Sequence, residues 1–145
     1  MRACVDAYSR VSSLLYRAFL RFRRVLPTVI FMSPKTGKPI DLPAPVAAYF
    51  AADRTGAEAV AQCFADDAVV IDERREHRGR TAIAQWKAEA SAKFRYTVEQ
   101  LGVHVSGDQT TVTGRVTGEF PGSPVELQYR FTLEGDKIAR LEIAP

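Results

Sequence analysis

Residues 63–89, CFADDAVVIDERREHRGRTAIAQWKAE, carry the strongest signals for secondary structure in the sequence. At the centre of this stretch Val69–Ile71 are three β-branched residues in a row, which predicts a short buried strand. A charged run, residues 72–78, follows at once, and Gly79 then turns the chain into a helix that Thr81 can start. That helix places four apolar side chains on one face, namely Ile83, Trp86, Ala90 and Phe94. The pattern therefore predicts a strand that leaves the core at Asp72, followed by a helix that packs against the core again.

Two short helices are predicted before this stretch. From Pro45 onward, Val46, Tyr49 and Phe50 are spaced as one face of a helix. Thr55 and Glu58 then have the spacing of a reciprocal capping box, which predicts the start of a second helix. The apolar side of that second helix consists of Val60, Cys63 and Phe64.

The C-terminal half has the period of β-strands. Side chains from Val125 to Glu134 alternate between apolar and polar, as in a strand with one buried and one solvated face. Glycine-aspartate pairs at 107–108 and 135–136 predict tight hairpin turns. Four antiparallel strands follow from these signals, at about residues 95–106, 110–120, 125–134 and 137–143. Helices followed by a strand meander predict an α+β domain in which helices pack on one face of a curved sheet.

Composition and charge exclude some classes of function. The chain has 145 residues and a net charge of +3. Residues 1–31 hold six arginines and one aspartate, so this segment alone carries +5. Residues 32–145 hold 14 basic and 16 acidic residues, or −2, so the folded part has no basic stripe and we expect no nucleic-acid partner. The two cysteines, Cys4 and Cys63, lack metal-ligand spacing, and Cys63 is expected to be a plain buried residue rather than a reactive thiol.

The sequence divides into three segments. Residues 1–31 are a basic extension, for which three interpretations stay open: a membrane-surface or partner-binding helix, a disordered leader, or a translated upstream region with the native start at Met32. Residues 32–42 form a proline-rich linker, and residues 43–145 form the domain. Membrane contact is expected only if the extension belongs to the native protein, and a cytoplasmic location is expected.

A cavity is expected between the helices and the bent sheet. Aromatic side chains on the inward faces are its candidate ligand-binding wall, although each is also a candidate for core packing: Tyr49, Phe50, Trp86, Tyr96, Phe120, Tyr129 and Phe131.

Asp72, one residue beyond the β-branched run, either points into this cavity as a proton-transfer group or pairs with nearby arginines in water. His77 is either its acid/base partner or a solvated loop residue. The acidic and histidine residues match no metal-ligand spacing, and neither a metal nor a cofactor is predicted.

Residues 46–86, VAAYFAADRTGAEAVAQCFADDAVVIDERREHRGRTAIAQW, resemble the opening half of the nuclear transport factor 2-like superfamily, and in particular its SnoaL-like members. The resemblance implies a cone-shaped α+β barrel, with about three helices on the concave face of a mainly antiparallel sheet and a pocket inside. Against the ketosteroid isomerases of that superfamily, Asp72 falls on the proton-shuttling aspartate and Tyr49 on the oxyanion-hole tyrosine. Tyr129 falls where those isomerases have a protonated aspartic acid, so steroid isomerisation itself does not follow.

Two classes of function remain open on the sequence. One is a cofactor-independent isomerase, cyclase, dehydratase or hydrolase that acts on a small apolar compound, with Asp72 as general base. The other is a non-catalytic ligand-binding or protein-interaction domain. A homodimer is a further possibility, although the outward face of the sheet is polar, which is unlike the core of an obligate interface.

Overall fold

The computed structural model describes residues 39–145, so the predictions for residues 1–31 and 32–38 lie outside the described residues. Three helices are described: α1 (Ala44–Asp53), α2 (Ala57–Gln62) and α3 (Arg80–Lys93). The strands of the same region are β1 (Phe64–Asp72), β2 (Arg75–Arg78), β3 (Tyr96–Ser106), β4 (Gln109–Gly118), β5 (Val125–Glu134) and β6 (Lys137–Ala144). The four predicted C-terminal strands are confirmed as β3 to β6, each within two residues of its predicted ends.

The strands form one sheet in the order β2-β1-β6-β5-β4-β3. Every neighbouring pair is antiparallel except β1 and β6, which run parallel with Val70 opposite Leu141. Register shifts in β3 and β5, of the kind that β-bulges produce, bend the strands and increase their twist. The predicted α+β fold with a curved, mainly antiparallel sheet is confirmed, and the sheet is open between its edge strands β2 and β3.

The core lies between the helices and the concave face of the sheet. Val46 of α1, Val60 of α2 and Ile83 of α3 are fully buried against inward-facing strand residues such as Val112 and Leu141. Alternation along β4 explains this arrangement, because every second residue from 110 to 116 is buried. Among residues 39–145, no helix is long and apolar enough to cross a membrane.

The start of α2 differs from its prediction. No side chain caps this helix, and its N-cap residue is Gly56. Thr55 instead lies in the turn that follows α1, since its backbone N–H donates to the Ala52 carbonyl at 2.8 Å and its hydroxyl to the Ala51 carbonyl at 3.5 Å. The capping box is therefore wrong, because Thr55 is already bonded into the last turn of the preceding helix.

The end of α2 was also predicted too late. The helix stops at Gln62, and Phe64 begins β1, where it lies opposite Ile138 of β6. Cys63 is the C-cap residue between them; its half-buried thiol contacts the Ala59 carbonyl at 3.5 Å, and burial raises its pKa. A half-buried thiol with a raised pKa is not the activated thiolate of a reactive cysteine.

The charged run after β1 forms a hairpin, which the sequence analysis did not predict. β2 pairs antiparallel with the end of β1, so Asp72 lies opposite Arg75 and only Glu73 and Arg74 form the turn. Both turn residues have positive φ, 52° and 63°, as a type I′ turn requires. The residues that usually mark a type I′ turn in a sequence are asparagine and glycine, and this turn contains neither of them.

The third helix begins one residue earlier than predicted. α3 starts at Arg80, with Gly79 as its N-cap residue at a φ of 83°. The backbone N–H of Gly79 donates to the Ala68 carbonyl at 2.8 Å, which ties the start of the helix to β1. Ile83 and Trp86 are buried as predicted, whereas Phe94 lies just beyond the helix in an extended conformation and still packs against the core.

Candidate functional site

A cavity of about 200 Å³ lies between α1, α3 and the concave face of the sheet. Most of the residues expected in a binding site line this cavity: Tyr49, Phe50, Asp72, His77, Trp86, Tyr96, Phe120 and Tyr129. Other charged side chains line it as well, among them Asp53 and Lys87, which the sequence did not single out. The cavity therefore has an apolar wall with titratable groups in it.

Phe131 lies outside this wall. Its side chain is 1% exposed and packs edge-on against the rings of Tyr49 and Phe50, with centroid distances of 5.3 and 5.9 Å. The expectation that Phe131 lines the cavity is therefore corrected, because it packs in the core behind the two aromatic residues that do.

Asp72 ends β1 with its carboxylate in the cavity wall. The indole N–H of Trp86 donates to its Oδ2 at 3.0 Å, and the backbone N–H of Glu73 donates to the same carboxylate. Burial raises the pKa of Asp72, and these two hydrogen bonds and the nearby His77 and Lys87 oppose that rise without cancelling it. The result is a carboxylate that is held in place and is more basic than one in water.

His77 lies on β2, opposite Val70 of β1, and lines the cavity beside Trp86 at a ring-centroid distance of 6.0 Å. Within residues 39–145, no hydrogen bond joins His77 to Asp72. The two side chains thus interact through charge alone and do not form a hydrogen-bonded dyad.

Two phenols in the cavity wall have hydroxyl groups with no hydrogen-bond partner in the part of the chain that the structure describes. Tyr49 and Tyr129 are 2% and 5% exposed, and burial together with nearby Asp53 raises the pKa of both well above the usual value. Neither hydroxyl makes a hydrogen bond to another of residues 39–145. Both therefore stay protonated at neutral pH and are available to donate a hydrogen bond to a ligand.

A buried ion pair completes the site. Lys87 is 3% exposed, and its ammonium group contacts the Asp53 carboxylate and donates to the hydroxyl of Tyr96. Burial alone lowers the pKa of Lys87, but Tyr96 and Asp53 raise it above the usual value, so the ammonium stays charged. The sequence held a signal for this position, because Lys87 is four residues after Ile83 and so lies on the buried side of α3.

The comparisons with known proteins identify the family. The model of the SnoaL-like domain matches residues 46–141. The chain belongs to the SnoaL-like family. The resemblance carried by residues 46–86 is thereby confirmed.

Solved structures similar to this SnoaL-like domain come from several bacteria. A candidate polyketide cyclase from Sinorhizobium meliloti is 46% identical with a TM-score of 0.68, and the alignment covers 70% of this chain and 94% of that one. A protein from Sphaerobacter thermophilus is 25% identical, with a TM-score of 0.59 and coverage of 68% and 90%. A ketosteroid isomerase-like fold from Catenulispora acidiphila, solved with trimethylamine, is 24% identical, with a TM-score of 0.65 and coverage of 72% and 87%. Among curated proteins, none matches the chain.

Two glycines of β4 leave the space in which Tyr96 and Tyr129 of this SnoaL-like domain pack. A Cβ atom on Gly114 would lie 2.8 Å from the Tyr129 ring, and one on Gly118 would lie 2.8 Å from Cβ of Tyr96. The Tyr129 ring at Gly114 and the backbone and Cβ of Tyr96 at Gly118 approach the strand more closely than a side chain there would permit. The positions of Tyr96 and Tyr129 in the cavity wall thus depend on β4 as well as on their own strands.

The described part of the SnoaL-like domain contains no group of three or more histidine, cysteine, aspartate or glutamate side chains that could hold a metal ion. The polar side chains of the cavity wall include the Asp72 carboxylate, the ion pair of Lys87 with Asp53, the imidazole of His77 and three phenols. Together these groups can accept a proton and donate hydrogen bonds to an oxygen.

Proposed function

We propose that this SnoaL-like domain binds a small, largely apolar carbonyl compound in its cavity. There it acts as a cofactor-independent enzyme of the isomerase or cyclase type. Asp72 removes a proton from the carbon next to the carbonyl group. Phenol hydroxyls, those of Tyr49 and Tyr129 among them, donate hydrogen bonds to the oxygen on which negative charge develops.

The main support for this proposal is the environment of the Asp72 carboxylate in the cavity wall. Its carboxylate is largely buried, and burial raises its pKa, so its basicity moves toward that of an effective general base at neutral pH. The hydrogen bond from Trp86 to Oδ2, at 3.0 Å, fixes the orientation of this carboxylate in the cavity wall. A positioned carboxylate in an apolar cavity contributes roughly 100- to 10,000-fold to proton-transfer rates.

The volume of the cavity limits the size of the substrate. An apolar cavity of roughly 150 Å³ accommodates benzene, and sites for drug-sized ligands usually measure roughly 300 to 1,000 Å³. At about 200 Å³, the cavity suits a substituted single ring or a compound of similar size. We therefore expect the part of the substrate that enters the cavity to be about this size.

The similarity to the Sinorhizobium meliloti protein supports the same class of reaction. That protein is a candidate polyketide cyclase and is 46% identical to this chain. A carbon-carbon ring closure of the aldol type starts with removal of a proton next to a carbonyl group, which is the step assigned here to Asp72. Isomerisation of a double bond next to a carbonyl starts with the same step.

Proton exchange tests this proposal without knowledge of the product. Small cyclic ketones and β-diketones are incubated with the protein in D2O, and deuterium uptake next to the carbonyl is followed by NMR. We expect the wild-type protein to accelerate uptake for a subset of these compounds. Asp72→Asn should lower that rate by about 100- to 10,000-fold, because the amide cannot accept the proton.

Glu76→Gln is the matched control, because Glu76 lies on the neighbouring strand with its carboxylate exposed and bonded to Arg78. This variant should exchange protons as the wild type does. Retained exchange in Asp72→Asn would remove Asp72 from the role of base. Binding of the compounds without accelerated exchange in the wild type would favour the alternative function, a ligand-binding domain without catalysis.

A further inference from the structure

The ion pair of Lys87 with Asp53 lies in the cavity wall but takes no part in the proton removal assigned to Asp72. A lysine that is 3% exposed is unusual, since lysine side chains are almost never fully buried without a partner. The Asp53 side chain is 12% exposed, so both charges are largely removed from solvent. Such a pair does little for stability compared with apolar residues of the same volume. Its lysine also contacts a third side chain, that of Tyr96.

Tyr96 receives a hydrogen bond from a charged donor. The Lys87 ammonium donates to the Tyr96 hydroxyl oxygen, and this is the only hydrogen bond that Tyr96 makes with its side chain within residues 39–145. Because an ammonium group has no acceptor, the phenol proton of Tyr96 cannot point at Lys87. It is left for another acceptor, and Tyr96 lines the cavity.

This arrangement makes Tyr96 different from the other two phenols. A hydroxyl group that accepts a charge-assisted hydrogen bond is polarised, so its own proton forms a stronger hydrogen bond to the next acceptor. The hydroxyls of Tyr49 and Tyr129 accept no such bond within the described residues. Of the three phenols, Tyr96 is therefore the strongest donor toward a ligand oxygen.

We propose that Tyr96 is a further catalytic residue, the principal hydrogen-bond donor to the substrate oxygen, and that Lys87 and Asp53 are its positioning residues. Asp53 keeps the ammonium charged and in place, and Lys87 turns the Tyr96 proton into the cavity. The proposal deepens the proposed function and rests on it for the reaction. It also specifies the ligand chemistry: an apolar ring with an oxygen that is anionic, or becomes anionic as a proton is removed from carbon.

Binding of an oxyanion tests this proposal without any turnover. The probes are 4-nitrophenolate and nitrobenzene, which share a ring and a nitro group and differ in the anionic oxygen. Trp86, the one tryptophan of the chain, lines the cavity, so quenching of its fluorescence reports binding. All proteins carry Asp72→Asn, which removes repulsion between the carboxylate and the anion and makes the result independent of the role of Asp72 as base.

The measured quantity is the preference for 4-nitrophenolate over nitrobenzene. Tyr96→Phe should lower this preference by about 10- to 100-fold, the usual worth of a hydrogen bond to a charged group. Removal of Lys87 alone would leave Asp53 as an unpaired buried charge and endanger folding. The pair is therefore replaced together as Lys87→Met with Asp53→Leu, and we expect the same loss of preference.

The controls separate this role from a structural one. Nitrobenzene should still bind to every variant, which shows that the cavity is intact, and the preference is a ratio that cancels changes in affinity for the apolar ring. Lys137→Met, which removes a lysine that donates to the Gln62 carbonyl outside the cavity, should keep the full preference. A preference retained in Tyr96→Phe but lost in Tyr49→Phe or Tyr129→Phe would overturn the assignment of Tyr96. A preference retained in the double variant would overturn the roles of Lys87 and Asp53.

Failure of this proposal is distinguishable from failure of the proposed function. The exchange experiment depends on Asp72 and is read from deuterium uptake, whereas the binding experiment is carried out without Asp72. A protein that exchanges protons but shows no dependence on Tyr96 retains the proposed function and loses this inference.

Discussion

Asp72 occupies a position where burial favours catalysis and opposes stability. Because burial raises the pKa of Asp72, the folded protein holds the proton on this carboxyl group more tightly than the unfolded chain does. The associated stability is fully present below the ordinary pKa of an aspartate and is lost as the pH rises through the higher pKa of the folded state. At neutral pH the ionised Asp72 therefore lowers the free energy of unfolding.

Asp72→Asn should for this reason stabilise the protein at neutral pH. The expected gain in the free energy of unfolding is about 1.4 kcal/mol for each unit by which folding raises the pKa. The gain should vanish in acid, below the ordinary pKa of an aspartate, because the carboxyl group is then neutral in both states. Urea denaturation of the two proteins at neutral and at acidic pH measures the difference, and an equal difference at both pH values would contradict this account of Asp72.

For single residues, the sequence predicts whether a side chain faces the inside of the domain better than it predicts which side chains it contacts there. The position of Asp72 after a β-branched run left open whether its carboxylate enters the cavity or pairs with arginines in water. Alternation along β5 indicated that Tyr129 and Phe131 point inward. Alternation could not distinguish Tyr129, in the cavity wall, from Phe131, in the core behind it. Lys87 was missed because lysine on a helix usually faces solvent, and its partner Asp53 lies on a different helix.

At the scale of elements, the β1–β2 hairpin brings the polar groups of the cavity mouth together. It places Glu73 so that its backbone N–H donates to Asp72, and it places His77 opposite Val70. The turn requires Glu73 and Arg74 to adopt positive φ, where residues other than glycine are strained by roughly 1–3 kcal/mol each. The hairpin escaped prediction because its residues lack the asparagine or glycine that marks such turns.

Glu73→Asn combined with Arg74→Gly should relieve this strain. We expect the free energy of unfolding to rise by about 1–2 kcal/mol, since the new pair prefers the type I′ conformation. Chemical denaturation measures the change. The matched control is Gly107→Ala in the β3–β4 turn, where φ is 61° and the substitution should destabilise the protein by about 1 kcal/mol. A lower stability of the double variant would mean that the wild-type turn is not strained.

The boundaries of the helices show a second limit at this scale. Thr55 and Glu58 fit a capping box by spacing, but hydrogen bonds of Thr55 to Ala51 and Ala52 commit it to the end of α1. Local spacing carries no information on which of two adjacent helices a residue joins. The strands of the meander were predicted more closely, because glycine-aspartate turns fix both the ends and the register of the hairpins.

At the scale of the whole molecule, the cavity results from a bent sheet that three helices cover in part. The sequence predicted this α+β arrangement, but not the parallel pairing of β1 with β6, which joins segments about seventy residues apart. The outward face of the sheet is polar and carries cross-strand pairs such as Arg115 with Glu126 at 3.3 Å. The suggestion of a homodimer through this face stays a prediction.

If Asp72 removes a proton from a ligand in this cavity, the rate of deuterium exchange depends on pH through the Asp72 carboxylate. The rate with a responsive ketone should fall as the pH decreases, following one titration whose midpoint lies above the ordinary pKa of an aspartate, because only the ionised carboxylate accepts a proton. In Asp72→Asn this acid limb should be absent and the remaining rate low at every pH. An acid limb that persists in Asp72→Asn with an undiminished rate would contradict the account.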